Sequence, residues 1–199
     1  ALKIKSNLER CGLKVLLTND GADKDIPLAE RCRLANDSNA KIVVSIHSNA
    51  AGNGWSDANY WMAAVIAKGG QAEKLAKAIE AASIPVLGIK SNGVQTQNLA
   101  MVRDTKAPAV LIEHGFHTCK TWVEMLKTQS VRAKIAECDA KGICNYLGVR
   151  WVDAPAAKWY EKELAEAVVA GITDGTRPEE PATRAEVAIM VLRALKGAK

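Results

Sequence analysis

The apolar positions along the chain follow two periods. Leu2, Ile4, Leu8 and Cys11 or Leu13 recur at helical spacing, and Gly12 stands on the C-cap side, so residues 2–11 read as a helix. "LKVLLT" at 13–18 then reads as a strand, and "NDGADKDIP" as a polar loop. Leu28, Ala29, Cys32 and Ala35 share a face of a helix over 28–38, and an apolar run at 42–46 forms the next strand. The Gly/Asn loop "NAAGNGWSD" leads to "ANYWMAAVIA", read as a strand with helix as the competing assignment. "QAEKLAKAIEAAS" is an amphipathic helix with Ala72, Leu75, Ile79 and Ala82 on its stripe. "LAMVRDT" fits a short strand, 108–118 a second buried strand, and 121–127 and 130–147 helices.

Strands alternating with helices predict an α/β fold, a mostly parallel sheet flanked by helices. The strands are continuous apolar runs, as expected where both faces are covered. Near residue 150 the texture changes. "VRWVDAPAAKWY" suggests a linker, and the remaining chain reads as a small C-terminal helical hairpin module. Its helices are separated by a Gly171–Gly175 turn, and Thr183 with Glu186 forms a capping box at the second helix. A core this thin leans on a neighbour or a partner.

In an open α/β sheet, ligands gather beyond the carboxyl ends of the strands. The run 42–46 ends in His47, Ser48 and Asn49, and the run 108–112 ends in Glu113, His114 and Gly115. His47 and Glu113 therefore can reach one cleft. An imidazole is a zinc donor, and a carboxylate is either a donor or the base that takes a proton from water. The remaining histidines, His114 and His117, read as ordinary surface residues. Trp55 and Trp61 flank the cleft-side loop, where an aromatic ring serves equally for packing or for stacking on a sugar.

Composition narrows the reading a little. The 199 residues are 48% apolar and 25% charged, which is enough apolar mass for one domain and a small appendage. The net charge of +5 suits an anionic partner. No block of five like charges exists, so a basic nucleic-acid arm is not expected. No apolar run reaches the ~18 residues of a membrane span. Five cysteines, an odd number without C-x-x-C spacing, argue against a disulfide framework.

"GLKVLLTND" (12–20), "LAERCRLAN" (28–36), "SIHSNA" (45–50) and "APAVLIEHGFHT" (107–118) resemble, in order and spacing, the zinc-dependent N-acetylmuramoyl-L-alanine amidases of the Amidase_3 family. These enzymes cut the amide between the lactyl group of N-acetylmuramic acid and the first L-alanine of the peptidoglycan stem. The resemblance implies a Zn2+ cofactor with His47 as a ligand, Glu113 as the catalytic carboxylate, and peptidoglycan as substrate. It also implies two further zinc ligands, a His in an N-terminal G-H-G-G-like motif and a Glu opening the next helix. Neither stands in this sequence, so the chain reads as N-terminally truncated, with one of three expected ligands and a sheet lacking its first strand. The tail, "WYEKELAEAVVAGITDGT…PATRAEVAIMVLRAL", is similar to one S-layer homology repeat, a module that attaches proteins to anionic cell-wall polymers.

The expected organisation is an amidase domain over 1–148, a linker over 149–157 and a wall-binding module over 158–199. The expected location is the bacterial cell wall, or the host cytoplasm before lysis for a phage lysin. The competing expectation is a wall-binding protein with an incomplete metal site and no catalysis.

Overall fold

A computed structural model describes residues 1–19, 25–155 and 160–197. The chain forms two compact units, Ala1–Asp153 and Ala154–Lys199. In order, the first contains α1 (Leu2–Arg10), α2 (Leu28–Asp37), β1 (Val43–Asn49), β2 (Tyr60–Val65), α3 (Gln71–Leu87), β3 (Lys90–Thr96), α4 (Ala100–Arg103), β4 (Ala109–Phe116), α5 (Lys120–Lys127) and α6 (Gln129–Leu147). The second contains α7 (Glu161–Val169) and α8 (Arg184–Leu195).

The sheet runs β1-β4-β2-β3. β1 and β4 are parallel, β2 and β3 are parallel, and β2 meets β4 antiparallel. Helices cover both faces, which gives the expected α/β architecture. Alternation along the strands sorts side chains between two cores. Trp61, Ala63 and Val65 of β2, with Val110 and Ile112 of β4, meet α1, α3 and α6. Met62 and Ala64, with Ala109 and Leu111, meet α2 and α4. The approach of α3 to α6 depends on Gly142, where a Cβ would run into the backbone of Ile79 and Ala78.

Four local expectations change. Residues 13–18 enter no ladder among the described residues, although Leu13 and Val15 pack against the core. A strand needs a partner for its backbone groups, and hydrophobic period alone supplies none. "LAMVRDT" contains the short helix α4 instead of a strand. β3 was not expected, because "KSNGVQT" buries only Val94 and sits at the sheet edge. α3 runs on past Ser83 through Pro85 to a left-handed Gly88.

The expected linker also begins too early. The Arg10 guanidinium and the Lys141 ammonium lie 5.5 and 5.2 Å from the Trp151 ring centre. The Val152 N–H donates to Cys11 Sγ at 3.3 Å, and Arg10 Nε donates to Val152 O at 3.0 Å. Residues 149–153 thus belong to the first unit, while 156 and 157 of the expected linker lie outside the described residues. So do residues 20–24 of the expected polar loop. All five cysteines are free.

The second unit is a pair of helices. Asp174 Oδ1 accepts from the Thr176 N–H and hydroxyl at 2.8 and 2.7 Å, tightening the turn. The capping box is present: the Glu186 N–H donates to Thr183 Oγ1 at 3.2 Å, and the Thr183 N–H donates to Glu186 Oε2 at 2.7 Å. α8 contains no buried residue. No helix among the described residues is long and apolar enough to cross a membrane.

Candidate functional site

The tips of β1 and β4 lie side by side. Val43 pairs with Ala109 and the register holds through His47 opposite Glu113. Parity then fixes which face each side chain takes. Val43 and Leu111 belong to the core beneath α2 and α4, and His47 and Glu113 share their parity. The imidazole and the carboxylate therefore stand on one face, on adjacent strands. Ser45 shares that face, and its hydroxyl lies 2.7 Å from His47 Nε2.

Beyond this pair the ladder slips: Asn49 faces Phe116, so β4 carries one residue more than β1. The extra residue is accommodated at Gly115, whose φ is +69°. A side chain there would collide with the Trp122 indole and Asn59 Oδ1, which occupy the space a Cβ needs. A bulge of this kind re-aims side chains at a strand end. After it, the His117 N–H donates to Asn49 O at 2.8 Å, and His117 Nδ1 lies 2.8 Å from Ser48 O. A carbonyl only accepts, so Nδ1 carries the proton there.

The electrostatics oppose ionisation of both groups. Burial pushes the Glu113 carboxyl above its ordinary value, more than His114 and His117 draw it down. Its Oε2 is buried and has no hydrogen-bond partner. A carboxyl held this way is suited to accept a proton near neutral pH. Partial burial, then the Arg31 guanidinium, lowers the His47 pKa, so its imidazole is neutral with a lone pair to offer.

His114 departs from the surface position expected of it. It is 3% exposed, and its Nε2 lies 2.9 Å from Oδ1 of Asp139, which is fully buried on α6. The Ser83 hydroxyl donates to the same oxygen at 3.2 Å. The His114 carbonyl accepts from the Trp122 indole N–H. Neighbouring residues on β4 thus do different work: His114 ties the strand to α5 and α6 through the core, and Glu113 faces the other way. Sequence could have pointed to this network. His114 shares parity with Val110 and Ile112, and Asp139 continues the buried stripe Ile135, Asp139, Ile143.

A catalytic zinc ion takes three protein donors and leaves one position open. His47 and Glu113 are brought together, but no group of three His, Cys, Asp or Glu among the described residues is placed to hold a metal. The described residues therefore do not make a complete zinc site. The Asn49 side-chain oxygen accepts from the Ala50 N–H at 2.8 Å and so shapes the loop after β1.

Residues 1–145 match the Amidase_3 family, described as N-acetylmuramoyl-L-alanine amidase. The chain is similar to the endolysin of Bacillus phage SPP1, with 34% identity over 151 residues, covering 74% of this chain and 55% of that protein. It is also similar to the N-acetylmuramoyl-L-alanine amidase CwlM of Bacillus licheniformis, at 27% identity over 83% of this chain and 63% of the relative. The chain thus spans between about half and two thirds of these two relatives' lengths. Among solved structures, the catalytic domain of CwlV from Bacillus (Paenibacillus) polymyxa var. colistinus superposes with a TM-score of 0.68 at 28% identity, over 75% of this chain and 81% of that one.

Proposed function

The chain belongs to the N-acetylmuramoyl-L-alanine amidase family, and on that premise we propose that it hydrolyses the amide joining the lactyl group of N-acetylmuramic acid to L-alanine in bacterial peptidoglycan. The observation that supports this reading is the pairing of His47 with Glu113 on one face of the sheet. Glu113 is the general base. It takes a proton from a water molecule as the oxygen bonds to the scissile carbonyl carbon, then gives that proton to the amide nitrogen as the C–N bond breaks. The products are a lactyl carboxylate on the sugar and a free amino group on the peptide. His47 is assigned as an imidazole donor to zinc. Zinc dependence itself rests on the family resemblance, since the described residues supply no third donor.

The C-terminal helical unit is read as a wall-attachment module for anionic polymers, in keeping with its S-layer homology-like turn. The reading places the protein at the cell wall, or in the host cytoplasm before lysis if it is a phage lysin. The incomplete donor set favours one competing function, a wall-binding protein without catalysis. Incubation with purified sacculi separates the two. Release of stem peptides with a free N-terminal L-alanine, detected by mass spectrometry and abolished by Glu113→Gln, supports the amidase. Sedimentation with walls and no released peptide supports the binder.

A further inference from the structure

Trp55 is 63% exposed, the only aromatic side chain among the exposed large apolar residues of the described chain. It lies on the loop between β1 and β2, and three contacts pin that loop to the end of β4. The Ala51 N–H donates to Thr118 Oγ1 at 3.0 Å, the Ser56 N–H donates to Thr118 O at 2.8 Å, and Asn59 Oδ1 accepts from the Phe116 N–H at 3.3 Å. The indole is thus presented from a fixed support beside the strand that carries Glu113. Lys120, the first residue of α5, places its ammonium 5.5 Å from the indole centre.

We propose that Trp55 and Lys120 form a glycan subsite beside the β4 tip, the indole stacking on the apolar face of an N-acetylated pyranose and the ammonium pairing with a carboxylate of the same wall polymer. This rests on the peptidoglycan reading above. A polymeric substrate extends beyond its scissile bond, and binding away from the bond helps position the reacting carbonyl. The π-face of an indole attracts electropositive groups, as Lys120 already demonstrates, and the C–H face of a sugar is of that kind. Because backbone hydrogen bonds already order the loop, little freedom is lost when a ligand settles on it. The cation beside the ring matches the acidic stem peptides that flank the sugars.

The test is a titration of the whole chain with N-acetylglucosamine tetramer, followed through the indole N–H resonances by NMR. The Trp55 signal is expected to move most, while the buried Trp61 and Trp122 signals stay in place. Trp55→Ala should raise Kd about tenfold, as truncation of an aromatic anchor does, and Trp55→Phe should retain most of the affinity. Because the side chain is exposed, melting temperatures should not separate the variants. In the Glu113→Gln background, Lys120→Ala should weaken retention on intact sacculi more at low salt than at high salt. Equal affinity in Trp55→Ala, or no binding of the tetramer by any form, overturns the subsite. Tetramer binding through Trp55 without release of stem peptides would overturn the amidase reading and leave the subsite standing. Peptide release with unaltered binding in Trp55→Ala would do the reverse.

Discussion

β1 and β4 are built alike and buried differently. Both are apolar runs that end in chemistry, and they pair in register from Val43 with Ala109 to His47 with Glu113. β4 lies between β1 and β2, and seven of its eight residues are buried. β1 lies at the sheet edge, and only Val43 of its seven residues is buried. Glu113 is the one residue of β4 that is not fully buried, yet burial still raises its carboxyl pKa, whereas His47 stands exposed on the edge strand. A general base gains from the first setting, which raises its pKa, and a donor group gains from the second, which leaves a neutral ring open to a ligand.

The comparison is broken first at its two tips. Glu113→Gln should lower stem-peptide release by about 10^2–10^4-fold without altering the far-ultraviolet circular dichroism. A fold intact but activity unchanged would remove Glu113 from the chemistry. On the general-base reading proposed above, Glu113 acts deprotonated, and because burial raises its pKa the acidic limb of the pH–rate profile should lie above the ordinary carboxylate range. The stability sign is opposite. Between the ordinary and the raised pKa the folded chain binds more protons than the unfolded chain, so stability falls as pH rises through that window. Glu113→Gln should flatten this dependence in urea titrations.

The support of the β4 tip comes next. Removing one partner of the buried His114–Asp139 hydrogen bond leaves the other unsatisfied, so His114→Leu should cost about 1–3 kcal/mol in urea denaturation. The double variant His114→Leu with Asp139→Leu should recover much of that loss. If the single and double variants were equally stable, the pair would not be what holds β4 to α6.

Two truncations then compare the strands directly. Ile112→Ala, in the centre, should cost about 2–5 kcal/mol, whereas Ile46→Ala, at the edge, should cost about 1 kcal/mol. Equal costs would contradict the edge position of β1. Smallest of all in stability is His47→Ala, expected within about 0.5 kcal/mol of the parent as an exposed substitution. On the zinc-donor reading proposed above, its effect is instead weaker retention of zinc in competition against a chromophoric chelator.

Much of this molecule is legible along the chain. The run 42–46 ending at His47 and the run 108–112 ending at Glu113 mark two strand tips, and parity puts each residue on a definite face. The capping box Thr183–Glu186 follows from spacing alone, because both its bonds close within one helical turn. β3 and α4 were not legible. One buried residue in seven leaves no period to detect in β3, and the tertiary setting turned "LAMVRDT" from the strand that its composition suggested into a helical turn.

Sequence by itself determined which residue types stand at the two strand tips and where α2, α3, β1 and β4 have their apolar sides, because both are local properties of residue type and spacing. Only the tertiary structure decided that β1 is an edge and β4 a centre, that His114 turns inward to Asp139, and that the expected strand at 13–18 has no ladder partner among the described residues. Each of those outcomes depends on which distant segment supplies the neighbouring backbone or the buried counter-group, and no local pattern encodes that choice.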